Sequence, residues 1–206
     1  MSQSNFSPAV EKYFPFCSKH EGGYANISGD HGGPTNRGVT LDTYNNLKDQ
    51  LGITNSLKQL NDNDLKTFIQ WFFDHNHLAL INSLAVQVFM LDVIWGSGSG
   101  DVTMLQKVVN VVPDGVIGYN TSNAVNSQNS ISLLAKLFIS REQQFRKYAT
   151  KDVQSKFLTG WLRRLYDLNV LVLSLKEVPG VSLATISILF LASLLILHRG
   201  YHSLIS

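Results

Sequence analysis

The sequence predicts a mainly α-helical protein, on three observations. Apolar residues recur at helical spacing in one segment after another, as Leu65, Phe68, Ile69 and Phe72 do within "NDNDLKTFIQWFFDHNHL". Short turn-forming runs such as "GSGSG" and "PDG" separate those segments. No sustained strand-type alternation appears, apart from short possibilities near residues 24 to 40. The 206 residues are 44% hydrophobic and 16% charged, enough for one compact unit or a unit plus an appendage. A net charge of +2 is too balanced to suggest a nucleic-acid binder, which normally shows a clustered basic face. The single cysteine, Cys17, rules out an internal disulfide, so stability must come from packing.

The elements follow in order. Residues 8 to 20 begin as a helix that Pro15 is expected to break or kink, which puts Glu21 on its last turn or at its end. A glycine-rich loop follows. Thr40 is a good N-cap for a helix stopping at Gly52. The helix carrying Leu65 comes next, then the long apolar segment 82 to 95, predicted to be the buried central helix and closed by its Gly-Ser run. Asp92, its one charge, must find partners or lie at a mouth of the core. "DVTMLQKVVNVV", "NTSNAVNS" and "SISLLAKLFISREQQFRKYAT" continue the pattern of helices and turns. His75 and His77, two apart, point to different sides of a helix, and no HExxH or cysteine set accompanies them, so no metal site and no cofactor are expected.

The glycine-rich loop "EGGYANISGDHGGPTNRG" carries the chemistry. A glutamate stands directly before two glycines, a second carboxylate, Asp30, follows nine residues later, and glycine this dense points to unusual backbone geometry. "EGGY" followed by "GDHGGPTNRGVT" resembles the opening signature of the glycoside hydrolase family 108 muramidases, phage and bacterial lysozymes. "FMLDVIWGSGSG" is similar to that family's buried Asp helix, "LQKVV" with "PDGVIGYNTSNAV" to its predicted peptidoglycan-binding region, and "GWLRRLYDL" to its closing motif. The likeness spans about residues 8 to 168. It departs from the family where Tyr24 is followed by "ANIS" and where Asp30-His31 stands for Asp-Pro.

The resemblance implies a lysozyme-like helical fold, with residues 1–100 as the catalytic part and 101–175 as a peptidoglycan-binding helical part. It implies peptidoglycan glycan strands as substrate and Glu21 as catalytic acid. Glycosidic cleavage needs a proton at the leaving oxygen while positive charge develops on the sugar. Phe14, Phe16 and Tyr24 flank Glu21 in sequence and are expected to shield it from water, favouring the protonated acid. Asp30 is the natural second carboxylate, stabilising that charge or activating water, although an Asp in a loop also commonly caps it. Thr35 is the candidate to orient the water, and Tyr24 and Arg37 are candidates to bind sugar.

Residues 178–197 run for twenty positions without a charge, the length of helix that crosses a bilayer's hydrocarbon core of about 30 Å. A C-terminal transmembrane helix is therefore expected, a wholly buried helix being the alternative. The start of the sequence lacks the pattern of a secretory signal. Arg163, Arg164 and Lys176 before the span outnumber Arg199 after it, which favours the folded part inside the cell. A holin or a secretion system is then the expected partner for reaching the wall. The leading expectation is a membrane-anchored muramidase. The alternative is a non-catalytic peptidoglycan-binding or secretion-accessory protein.

Overall fold

In the computed structural model, residues 6–26, 33–150 and 155–175 are described. They form eight α-helices and a small β-hairpin. The order is α1 (Pro8–His20), β1 (Thr35–Asn36), β2 (Val39–Thr40), α2 (Leu41–Leu47), α3 (Asp62–His75), α4 (Leu84–Ser97), α5 (Val102–Val108), α6 (Tyr119–Asn126), α7 (Ser130–Ala149) and α8 (Leu158–Ser174). Asp30 and the expected span 178–197 lie outside the described residues. Among the described residues no helix is long and apolar enough to cross a membrane.

Of the break or kink expected at Pro15, the break does not occur: α1 runs through it from the Ser7 cap to Glu21. A proline inside a helix costs about 3 kcal/mol. The same helix buries Ala9, Val10, Tyr13, Phe16 and Cys17, and each large side chain fully buried contributes about 1.5–3 kcal/mol. Tertiary burial therefore outweighs the proline.

Thr40 caps α2 as expected, its hydroxyl accepting the Thr43 N–H at 3.1 Å. The α-helix itself ends at Leu47, and the chain reaches Gly52, at φ +65°, through turns. Asn61 and Asp64 close a capping box at the start of α3.

Helix α4 is the axis of the molecule. Nine of its residues, from Ala85 to Ile94, are buried on every side, and α1, α3, α7 and α8 pack around it. It stops at Gly98, whose φ of +82° ends the helical run. A single apolar core joins Val10 of α1, Phe68 of α3 and Phe89 of α4 with Phe138 of α7 and Leu168 of α8. The residues on either side of position 100 thus share one interior. The central cross-link is the edge-to-face pair Phe89–Phe138, 4.7 Å between ring centres.

Candidate functional site

The glycine-rich loop returns against its own beginning. Arg37 and Gly38 form a two-residue turn between β1 and β2, with φ +54° and +81°. Positive φ at both turn residues matches the right-handed twist of a hairpin. Ala25 bridges Thr35 in both directions, at 2.8 and 2.9 Å, and the Arg37 N–H donates to the Gly22 carbonyl at 3.1 Å. Asn36, buried, ties the hairpin to the Leu57 carbonyl at 2.7 Å.

Glu21 is the C-cap residue of α1, with its N–H on the Cys17 carbonyl, so the rigid end of a buried helix aims its side chain. Of the glycines, Gly38 shapes its surroundings. A Cβ there would come within 2.6 Å of Trp95 Nε1 and 2.9 Å of Glu21 Cδ and Oε2. Only a glycine lets the hairpin lie flat over the carboxylate. Gly22 and Gly23 differ, since a Cβ on either meets nothing within 4 Å and neither has positive φ. They leave open space beside Glu21.

The expected shield of Phe14, Phe16 and Tyr24 is not what surrounds the carboxylate. Phe14 lies under the Lys66 ammonium and Tyr24 is 41% exposed with Lys58 over its ring, while Phe16 packs on His20 and sits 5.5 Å beneath the Arg164 guanidinium rather than on the carboxylate. Glu21 Oε1 instead accepts Arg164 Nη1 at 2.8 Å, a bond from α8 across 143 residues of sequence. Arg164 also reaches Asp92 Oδ1 through Nε at 3.0 Å and Nη2 at 2.8 Å, and Tyr13 Oη at 3.3 Å. Tyr13 donates its hydroxyl to Asp92 Oδ1 at 3.0 Å, which satisfies the one charge of the central helix.

Burial works against the charge of Arg164, but Asp92, Tyr13 and Glu21 outweigh it and hold its pKa well above the ordinary value. Burial, then Asp92, pushes the Tyr13 phenol up, so it remains a neutral donor. Burial and Arg164 lower the pKa of neighbouring His20, against the pull of Asp167. The cluster is a fixed positive charge between two carboxylates, one buried and one facing solvent.

A cleft of about 520 Å³ opens at Glu21. Gly38 and Thr40 of the hairpin form one side, Asp92, Trp95, Gly96 and Ser97 of α4 the floor, and α7 and α8 the far side. That far side is aromatic: Phe145, Tyr148 and Trp161, with Phe145 and Trp161 5.4 Å apart. Arg141, 4% exposed at its side chain, bonds Asp101 at 2.7 Å and Ser97 at 2.6 Å, locking α7 to the end of α4. The Trp95 indole N–H lies buried at the floor without a partner among the described residues.

The other sequence candidates fall at different distances from this cleft. Thr35 pairs with Thr40 across the hairpin, so the two side chains share a face, but Thr40 is the one that lines the cleft. Arg37 forks to Ser18 Oγ at 3.0 Å and Asp62 Oδ1 at 2.6 Å, pinning the hairpin to α1 and the start of α3. In "DGVIG" the buried Gln106 amide donates to Asp114 Oδ1 at 2.6 Å and to the Val116 carbonyl at 3.0 Å, and its oxygen accepts the Gly115 N–H at 2.8 Å. That motif is a braced turn.

Sequence reasoning missed Gly38, Trp95, Arg141, Trp161 and Arg164. Each lay close to something it had noticed: "TNRGVT" contains Gly38, "FMLDVIW" ends in Trp95, "SISLLAKLFISREQQFRKYAT" contains Arg141, and "GWLRRLYDL" holds both Trp161 and Arg164.

Residues 14–98 match the Glycosyl hydrolase 108 family, and residues 101–166 match a family described as Predicted Peptidoglycan domain. The fold resembles the structure of Brucella abortus SagA at a TM-score of 0.68, with 28% sequence identity over 84% of this chain and 98% of that one. No curated protein matches the sequence.

Proposed function

With residues 14–98 belonging to the glycosyl hydrolase 108 family and the chain a glycoside hydrolase acting on peptidoglycan, we propose that it is a muramidase with Glu21 as the acid. The bond cleaved is the β-1,4 link between N-acetylmuramic acid and N-acetylglucosamine. The observation that carries this reading is the placement of Glu21 in the cleft. One oxygen is held by Arg164, while the other stands beside Gly38 at the cleft.

Held at Oε1, the carboxyl group presents Oε2 to the leaving glycosidic oxygen and delivers its proton there. Trp161 and Tyr148 offer apolar faces to the sugar rings, as carbohydrate sites commonly do, at the opposite side of the cleft. Asp30 is the proposed second carboxylate, and Thr35, beside Thr40, the proposed water-orienting hydroxyl. Tyr24, exposed next to the loop, is a proposed outer sugar contact. Arg37 serves this reading by anchoring the hairpin. The uncharged run 178–197 supports a membrane anchor, and a holin or secretion route follows from that anchor.

The test is turbidity loss of purified cell walls with Glu21→Gln. Glutamine keeps the size and the acceptor for Arg164 but has no acidic proton, so the rate falls by about 10² to 10⁴ while the melting temperature changes little. In the same assay Asp30→Asn lowers the rate at unchanged stability if Asp30 stabilises the transition state, whereas a loop cap loses about 0.5 to 2 kcal/mol of stability and keeps its activity. Wall clearance by folded Glu21→Gln at the parent rate would return the chain to the reading of a peptidoglycan binder.

A further inference from the structure

A second groove of about 440 Å³ opens between α5 and α7, lined by Asp101, Thr103, Lys107, Gln143, Gln144 and Lys147 among others. Tyr148 lines both this groove and the Glu21 cleft, so the two adjoin at that side chain. The Asp101–Arg141 ion pair forms the partition, Asp101 facing the groove and Arg141 the cleft.

The charges in the groove are unbalanced. Asp101, the one carboxylate among its lining residues, is spent on Arg141 Nη1 at 2.7 Å and Gln144 Nε2 at 2.9 Å. On the same helix Arg146 is consumed by Glu142 at 2.6 Å. Lys107 and Lys147, both exposed, have no ion-pair partner among the described residues. They stand in the last turns of α5 and α7, where the helix dipole favours a cation. The groove therefore offers ammonium groups and amide donors to an anion, beside a cleft sized for sugar rings.

We propose that this groove binds the carboxylates of the stem peptide that branches from the glycan strand, with Lys107 and Lys147 as the recognising cations. The inference rests on the muramidase reading and adds a substrate class to it: peptide-substituted glycan over bare glycan. A strand lying across Glu21 carries its peptides on alternate sugars through an ether-linked lactyl arm. A side groove meeting the cleft at Tyr148 receives such a branch without displacing the strand. Charge pairs at exposed positions act weakly and are screened by salt. The preference is therefore a matter of fold-changes in kcat/KM and depends on ionic strength.

The experiment compares the full chain with Lys107→Gln/Lys147→Gln on two substrates, purified sacculi and the soluble, peptide-free glycan strands that an amidase releases from them, with new reducing ends as the readout for both. Two weak pairs correspond to about a three- to tenfold change. The expected result is that the ratio of kcat/KM on sacculi over peptide-free strands drops by that factor in the double variant, at unchanged melting temperature. The drop shrinks toward nothing in 0.5 M salt, where the screening length is only a few ångströms. An equal loss on both substrates, or no loss on either, overturns the groove. A parent that releases reducing ends from neither substrate overturns the muramidase reading itself, and the groove with it.

Discussion

Gly38→Ala is the sharpest test of the site because its consequences can be worked from distances. The new Cβ would stand 2.6 Å from Trp95 Nε1 and 2.9 Å from the Glu21 carboxyl group, where ordinary contact begins at 3.4 Å. Gaps of about 0.8 and 0.5 Å must therefore open, and Trp95, half-buried on the floor beneath the hairpin, has little room to retreat. Backbone strain adds to the overlap, since φ is +81° and a left-handed conformation costs an L-residue about 1–2 kcal/mol. Overpacking typically costs about 1–3 kcal/mol more. The sum of about 2–5 kcal/mol corresponds to a fall in Tm of roughly 4–20 °C for a chain of this size.

Activity should suffer beyond stability. A 1 Å misplacement of a catalytic group is worth about 10²-fold, so moving Glu21 by half an ångström should cost the folded variant about ten- to a hundredfold in wall clearance. Two controls separate the causes. Gly52→Ala carries the same kind of strain, φ +65°, with nothing within 4 Å, and should lose stability but keep its rate. Gly22→Ala meets nothing and lacks positive φ, and should be as stable as the parent. If Gly38→Ala melts and clears walls like the parent, the hairpin does not shape the site as described.

Three further outcomes are expected. Arg164→Gln leaves the Asp92 carboxylate, 8% exposed, with Tyr13 alone; breaking a buried pair costs about 3–5 kcal/mol, and the partial exposure of Arg164 places this one toward the lower end. Arg164→Lys keeps the charge without the fork, so thermal melts should rank it between parent and Arg164→Gln, and equal stability of all three would remove Arg164 from its bridging role. For His20, burial depresses the folded pKa below 6.5, so the unfolded chain takes up a proton first as pH falls. Its contribution is present above about pH 6.5 and lost as pH falls toward the folded value, so the Tm difference between parent and His20→Gln should move against the parent from pH 7.5 to 5. A constant difference across that range would contradict it. If residues 178–197 anchor the protein, full-length chain should pellet with membranes and residues 1–177 should not; identical fractionation of the two would end that proposal.

Much of the architecture was legible in the sequence because it is set locally or by one-dimensional pattern. Helical periodicity marked α3, an unbroken apolar run marked α4, Thr40 announced the start of α2, and the Gly-Ser run the end of α4. The motif around Glu21 was legible too, since a cap residue, two glycines and a tight turn are neighbours in the chain. The helix is not broken at Pro15: local propensity counts its lost hydrogen bond, while the burial that outweighs it belongs to other helices.

The electrostatic partner of Glu21 is of the same kind. Flanking aromatics were expected to surround it, yet on a helix end neighbours in sequence point to different sides, and Phe14 and Tyr24 face lysines elsewhere. Packing α8 against α1 and α4 brings Arg164 to both Glu21 and Asp92, and packing the hairpin on Trp95 makes Gly38 the residue that must be small. The sequence by itself determined which residues could be helical, where they stop, and which carboxylate stands out. Only the tertiary structure decided what that carboxylate meets, because charge and van der Waals contact act over a few ångströms of space, and the chain crosses 143 residues to bring Arg164 within 2.8 Å of it.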